Sequence, residues 1–293
     1  MRFIIITDTH LALKMSNRTG SFLDDCLAKI AEVIDMCNET GAVLLHAGDM
    51  FHSSTVPDIV KSSLVDLIRN KLKTKMYVIY GNHDLSYGSY ERSDYTSLGL
   101  LIKSGVVELL DKPIFFEGFS LRPGLPVENA GVQLCLAHKY FNYDDDPVWS
   151  CGYNDLPKGA EGSVLVLGHD HIEYDPLEHN GITVIRPGSL SRITRDDYRN
   201  HINVTALEFV DSRFTISVTS LLKSSREYDM LFRSSVGVDV LKYYDSALKD
   251  LPKVYAEIAE RLKGAASSEM EFDKVLTSVT DNADVLAYIR SFV

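Results

Sequence analysis

The sequence predicts an α/β fold built on a parallel sheet. Two observations carry this. Short apolar runs alternate with amphipathic segments from the first residues onward, and the residues best able to do chemistry follow the apolar runs directly. Strand, helix, strand, helix, strand at this spacing requires crossover connections, which make neighbouring strands parallel. Ligands of such sheets bind at the carboxyl ends of the strands.

Each element has its own signal. Phe3, Ile4, Ile5 and Ile6 form a run without a polar break, as a strand buried on both faces requires. A helix is predicted over 21–38: Phe22, Leu23, Leu27, Ile30, Ala31 and Ile34 recur at helical spacing, and Gly41 suits the cap. Residues 42–45 form the next buried strand. A second helix starts near Pro57, a residue suited to a first turn, and carries Ile59, Val60, Leu64, Leu67, Ile68 and Leu72. Residues 76–80 form the third strand. Further strands are predicted over 132–136, 163–167, 182–185, 204–210 and 214–220, the last two joined by a turn at 211–213. Phe214, Ile216 and Val218 alternate with Thr215, Ser217 and Thr219, so one face of the final strand meets water. Near residue 223 the character changes. Ser224, Ser225, Ser234 and Ser235 mark a polar joint, and the remainder reads helical. One stripe holds Leu251, Val254, Tyr255, Ile258 and Leu262. Another, behind an Asn282 cap, holds Val285, Leu286, Ile289 and Phe292. The expected organisation is a domain over 1–222 and a helical region over 223–293.

Composition excludes several classes. Hydrophobic residues at 45% and charged residues at 24% exclude a disordered chain. The 30 Lys and Arg against 41 Asp and Glu give a net charge of −11, which argues against coating nucleic acid by bulk charge and leaves a local site open. Cys26, Cys37, Cys135 and Cys151 show no CxxC spacing, so disulfide scaffolds and Cys-based zinc sites are not expected. Unpaired thiols suit a reducing, intracellular location, cytoplasmic or nucleoid-associated. No window approaches the roughly 18 apolar residues of a membrane span.

Five predicted strands run into an Asp, Asn or His. They end in Thr7-Asp8-Thr9-His10, in Gly48-Asp49-Met50-Phe51-His52, in Gly81-Asn82-His83-Asp84, in Ala137-His138 and in Gly168-His169-Asp170-His171. Imidazoles mixed with carboxylates suit a first-row transition metal better than magnesium or calcium. The i, i+2 spacing of Asp8/His10 and of His169/His171 would put both members of a pair on one side of an extended backbone. Gly48, Gly81 and Gly168 permit sharp turns and close backbone approach. Any one block could be a polar loop; five in order, each at a strand end, point to a metal centre.

On these motifs, covering about residues 1–220, the chain resembles the calcineurin-like metallophosphoesterase superfamily. The resemblance implies a four-layer αββα sandwich with a small helical C-terminal appendage, and two metals in a cleft above it. Asp8, His10, Asp49 and His171 would hold one metal. Asp49, Asn82, His138 and His169 would hold the other, with Asp49 bridging. His83 would protonate the leaving oxygen or stabilise the transition state, oriented by Asp84. Gly48-Asp49-Met50-Phe51-His52-Ser53-Ser54 departs from the phosphoprotein phosphatase pattern and is similar to the DNA repair nucleases of the SbcD family and its archaeal and eukaryotic counterparts; in the counterparts a His at the position of His52 helps place DNA, whereas bacterial members often have Asp there.

That resemblance implies a DNA exonuclease or endonuclease using two divalent ions, manganese foremost, with magnesium, iron or zinc as substitutes. It implies an SbcC-like coiled-coil ATPase partner, which this chain, lacking a Gly-x4-Gly-Lys-Ser/Thr loop, does not itself supply. It also leaves room for a homodimer. The compact length is similar to phage-encoded members. Arg186, Ser189, Arg192 and Arg195, with Arg199, would contact substrate phosphates. Lys61, Arg69, Lys71, Lys73 and Lys75 could do the same or form a solvated helix face. Tyr87, Tyr90 and Tyr95 could stack on a base or pack their loop; Trp149, in a polar loop between two metal motifs, could line the cleft but is expected rather to pack, and His46, His179 and His201 to be structural. The alternatives are a small-molecule or cyclic-nucleotide phosphodiesterase and, less favoured because every ligand position is filled, a scaffold.

Overall fold

The computed structural model describes residues 1–15, 18, 20–142, 148–157, 161–193 and 202–220. The helical region expected over 223–293 lies outside these, as do Arg195, Arg199 and His201. In chain order the elements begin with β1 (Arg2–Ile6), α1 (Phe22–Thr40), β2 (Val43–His46), α2 (Asp58–Lys71), β3 (Met76–Val78), α3 (Ser97–Lys103) and β4 (Glu108–Leu109). Then come β5 (Ile114–Phe116), β6 (Phe119–Pro123), β7 (Val132–His138), β8 (Tyr140–Phe141), β9 (Ser150–Cys151) and β10 (Ser163–Gly168). The described part closes with β11 (Tyr174–His179), β12 (Ile182–Arg186), β13 (Asn203–Val210) and β14 (Arg213–Ser220).

The strands form two six-stranded sheets, ordered β14-β13-β1-β2-β3-β4 and β11-β12-β10-β7-β6-β5. β1 sits centrally in the first, with Ile4 opposite Leu44 of parallel β2 and Ala206 of antiparallel β13. Its residues alternate between two cores, which explains the unbroken apolar run. Ile4 and Ile6 pack with Phe22, Ile30, Ile34, Val60 and Leu64 under the helices. Phe3 and Ile5 pack with Leu121, Leu134, Leu136, Val164 and Val166 between the sheets. On the outer face of the second sheet, Cys135, Leu165 and Leu167 are covered, among the described residues, by Phe141, Cys151 and Leu156. The result is an α/β sandwich of two sheets flanked by helices.

The termini of the predicted elements have local causes. Ser21 Oγ accepts from the Asp24 amide at the start of α1, and Gly41 closes it in the left-handed region at φ 66°. α2 starts one residue after Pro57. The turn between β13 and β14 is tighter than predicted. Asp211 and Ser212 alone form it, both at positive φ, and Arg213 already pairs with Val210. The short strands β4, β5, β8 and β9 carry no sequence signal, because two or three residues cannot show a period.

Candidate metal centre

Parallel strands β1, β2 and β3 of one sheet and β7 and β10 of the other deliver their carboxyl ends to one place. Backbone bonds lock the ends together: the Asp8 amide donates to the Gly48 carbonyl at 3.0 Å, His10 to Asp49 at 3.0 Å, and Lys139 to Gly168 at 3.0 Å. The ligand loops are not extended, as the i, i+2 argument assumed. Asp8, His10, Asp49 and His169 all lie in the left-handed region, at φ 50°, 43°, 55° and 94°. Each costs backbone strain, which the surrounding packing holds in place. Convergence of Asp8 with His10 therefore comes from kinks at both residues, on either side of Thr9. Gly48 and Gly81 are required by close approach: a Cβ on the first would overlap His138 Nδ1, and one on the second would overlap Asp49 Oδ1.

Two groups of donors that join a carboxylate to imidazoles result. Asp8, His10 and His171 form one, and Asp49, His138 and His169 the other; a third group, His10, His52 and His83, is all imidazole. In the first, His10 Nε2 is 3.0 Å from His171 Nε2 and 3.7 Å from Asp8 Oδ1. In the second, His138 Nε2 is 3.3 Å from Asp49 Oδ2, 3.2 Å from His169 Nδ1 and 3.1 Å from Asn82 Oδ1. Asp49 joins the groups, because the same Oδ2 lies 3.7 Å from His10 Nε2.

The donors fit divalent cations. Each carboxylate has one oxygen engaged and one turned to the centre. Asp8 Oδ2 accepts from Thr7 Oγ1 and, at 3.0 Å, from the His169 amide, while its buried Oδ1 has no hydrogen-bond partner among the described residues. Asp49 Oδ1 accepts from the His83 amide at 2.8 Å, leaving Oδ2 for the centre. His138 Nδ1 donates to the Ala47 carbonyl at 2.9 Å, which frees Nε2 as a ligand atom. Donors held about 2.0–2.2 Å from one ion stand about 3–3.6 Å apart, close to the spacings here.

The electrostatics agree. Burial, reinforced by the nearby Asp49 charge, raises the Asp8 carboxyl above the usual range. Asp49 is held below that range: burial opposes this, but the hydrogen bond and charge of His138 and the charge of His10 prevail. Burial likewise opposes protonation of His138, yet Asp8 and Asp49 push it up to about 9. The His10 and His169 imidazoles shift the opposite way, His169 down to about 4, because burial prevails there.

Around the donors, the structure separates reacting groups from supports. His83 is half-buried, and its Nδ1 donates to the His52 carbonyl at 2.7 Å, leaving Nε2 to exchange a proton. The His52 ring stacks on that of His83 at 5.5 Å, and burial lowers its pKa. Asp84 does not orient the His83 ring directly. Its fully buried carboxylate instead accepts from the amides of Met50 at 3.2 Å, Phe51 at 3.0 Å and Gly81 at 3.0 Å, tying the second motif to the third. Burial, with the charge of Asp49, pushes this carboxyl up to about 7. His46 is structural: Thr9 Oγ1 donates to the Met50 carbonyl at 2.8 Å and so accepts from His46 Nε2 at 3.0 Å. Burial holds that imidazole neutral, its pKa near 3.

The residues expected to contact substrate are placed otherwise. Arg192 is buried, 2% exposed. Ser189 is buried, with its hydroxyl 2.8 Å from the Asp8 carbonyl, so it supports a ligand loop. The Arg186 guanidinium lies 3.7 Å from the centroid of the Tyr174 ring. On the second helix and after it, Lys61 pairs with Asp58, Lys71 with Asp35 and Lys75 with Glu108. Two aromatic residues border the centre: Tyr140, which the sequence did not point to and whose ring centroid is 3.9 Å from that of His169, and Trp149, 6.2 Å from His138 and 6.1 Å from His169. Thr7, which bonds Asp8, was also missed. The closeness of Tyr140 to His138 in sequence was its one available signal.

The family model for calcineurin-like phosphoesterase matches residues 1–184. Similar solved structures include a predicted phosphoesterase from Streptococcus pneumoniae, at 15% identity and TM-score 0.39, covering 79% of this chain and 92% of the other. A single mutant of Vps29 from Entamoeba histolytica matches at 15% identity and TM-score 0.36, covering 75% and 99%. The 5'-nucleotidase from Candida albicans matches at 12% identity and TM-score 0.41, covering 78% and 53%. No curated protein matches by sequence. With the family model spanning more than half of the chain and the donor groups assembled at the strand ends, the protein belongs to the calcineurin-like phosphoesterase family and is a metal-dependent hydrolase.

Proposed function

We propose that the protein is a two-metal phosphodiesterase acting on DNA, an exonuclease or endonuclease of the SbcD type. The observation that carries the two-metal reading is Asp49 Oδ2. It lies 3.7 Å from His10 Nε2 and 3.3 Å from His138 Nε2, so one carboxylate oxygen faces both donor groups. Asp8, His10, Asp49 and His171 would hold one ion; Asp49, Asn82, His138 and His169 the other. Bound divalent ions supply Lewis-acid polarisation of the phosphoryl oxygens and bring the pKa of water into the neutral range.

The chain's own residues do the rest. Asp8 and Asp49 are the two carboxylates of the donor set, and Asn82 contributes an oxygen without charge, so the loaded site stays net positive toward a phosphodiester anion. His83, its Nδ1 fixed by the His52 carbonyl, gives a proton from Nε2 to the leaving oxygen. Asp84 keeps the Gly81 and Phe51 backbone in place beneath these ligands.

Manganese is the expected ion. DNA and an SbcC-like ATPase are the expected partners, the latter bound through 223–293, and an intracellular location follows from them. A second reading, hydrolysis of a small nucleotide or other phosphodiester, is favoured by the ion pairing of Lys61, Lys71 and Lys75 and the burial of Arg192. The test is a cleavage assay with end-labelled single- and double-stranded DNA and, in parallel, a small chromogenic phosphodiester, with manganese, magnesium or EDTA. Manganese-dependent shortening of DNA supports the nuclease; hydrolysis of the small diester with DNA intact transfers the assignment to the second reading.

A further inference from the structure

We propose that Tyr140 and Trp149 form a nucleobase-stacking subsite beside the metal centre, so that the substrate is recognised by a base next to the scissile phosphate. The inference rests on the phosphodiesterase reading above and names the part of the substrate that this wall takes.

Both rings lie against metal-ligand imidazoles. The Tyr140 centroid is 3.9 Å from that of His169, with the planes at 59°. Tyr140 nevertheless keeps 37% of its surface exposed. Trp149 is half-buried, 6.1 Å from His169 at 34° and edge-on to His138 at 6.2 Å. Core packing against Trp149 accounts for one side of the indole.

The pair is built to stay in place. The Tyr140 amide donates to the Trp149 carbonyl at 2.6 Å, and the Asn142 amide donates to Cys151 at 2.7 Å. Lys139, which could have been a phosphate contact, instead donates its ammonium to the carbonyls of Val148 and Ser150. The cation therefore braces the backbone that carries the two aromatics. The loop after the third motif closes on the same wall: a Cβ on Gly88 would stand 3.8 Å from Trp149 Cζ2. Its neighbour Tyr87 is fully exposed and held at φ 53°, a strained conformation for a non-glycine residue.

The charge distribution points the same way. Lys61, Lys71 and Lys75 are engaged in ion pairs, Arg192 is buried and Arg186 lies on the Tyr174 ring. Exposed apolar and aromatic surface, rather than paired cations, borders His169. Such a surface recognises a π-face. Every base has one, so the subsite tolerates sequence and favours unpaired nucleotides over a stacked duplex. A nucleotide whose phosphate lies at the metals brings its own base, or its neighbour's, within reach of Tyr140.

The chain contains one tryptophan, Trp149, so its intrinsic fluorescence reports on the subsite directly. Full-length protein with magnesium is titrated with thymidine 5'-monophosphate and, separately, with ribose 5-phosphate. Quenching by the nucleotide and not by the sugar phosphate is expected; equal responses, or none, overturn the proposal. In parallel, KM is measured with manganese for oligothymidylate and for an abasic oligomer of the same length. Stacking of one base is worth about tenfold here. Tyr140→Ala is expected to remove that preference for the base-bearing oligomer, and Tyr140→Phe to retain it. A merely structural Tyr140 would weaken both substrates equally and leave their ratio intact, which would refute the subsite. If DNA is not cleaved at all, nucleotide-specific quenching still supports base recognition. Cleavage of DNA without quenching and without base preference sinks the subsite alone.

Discussion

Replacing Asp84 with alanine tests whether the second and third motifs are held together by one buried carboxylate. The side chain is fully buried and accepts from three backbone amides, those of Met50, Phe51 and Gly81. Alanine leaves all three donors without an acceptor. Each buried unsatisfied donor costs about 1–3 kcal/mol, and local relaxation or an entering water recovers part of that. A net loss of roughly 3–5 kcal/mol follows, which for a domain of this size lowers Tm by about 6–20 °C. Asp84→Asn should cost less, about 1–3 kcal/mol: its one carbonyl oxygen serves two amides, and its NH2 faces the third. Metal affinity should fall with stability in the alanine variant, because the tethered Phe51 and Gly81 flank the ligands Asp49 and Asn82. Thermal melts followed by circular dichroism, with manganese titrations of the same samples, decide the matter. An alanine variant melting within 2 °C of wild type (~1 kcal/mol) with unchanged manganese affinity would refute the reasoning.

Four further outcomes are expected. Asp49→Asn removes the carboxylate facing both donor groups; phosphodiester hydrolysis should fall by at least about 10³-fold while circular dichroism stays that of the folded chain, and undiminished activity would overturn the metal assignment. EDTA should lower Tm and manganese should restore it, since a ligand at 100 times its Kd stabilises by about 2.7 kcal/mol; a melt indifferent to both would argue against a resident ion. Gly81→Ala places a Cβ against Asp49, so manganese affinity should drop without loss of secondary structure, a result checked by calorimetry. In metal-free protein the Asp84 carboxyl is raised from 3.8 to about 7. Its contribution to stability is therefore complete below about pH 4 and lost as pH rises through 7. The Tm of wild type relative to Asp84→Asn should decline over that interval, and a growing difference would contradict the assignment.

The strands and helices that build the site were legible because their cause is local. Ile4 and Ile6 serve one core while Phe3 and Ile5 serve another, and this double burial writes an unbroken apolar run that no half-wet strand shows. The helices α1 and α2 bury one stripe each, so their period stands out. The motifs were legible because each follows such a strand. By contrast, β4, β5, β8 and β9 are two or three residues long and carry no pattern of their own.

By itself, the sequence determined the parallel strands at the heart of the first sheet, the placing of Asp and His residues at strand ends and the metal-dependent chemistry those residues can do. Tertiary structure alone decided what each side chain is free to do. Arg192 and Arg186 look alike as cations in the sequence; one is buried and the other lies on an aromatic ring. Ser189 reads as a phosphate contact and turns out to hold Asp8. Asp84 reads as a partner for the neighbouring imidazole and reaches instead across to the loop after β2. Tyr140 and Trp149 become a wall of the centre because β8 pairs with β9 beside His169. Ligand identity follows residue type, which the chain records. Burial, pairing and exposure follow from contacts between residues far apart in sequence, which take shape only when the two sheets close on each other.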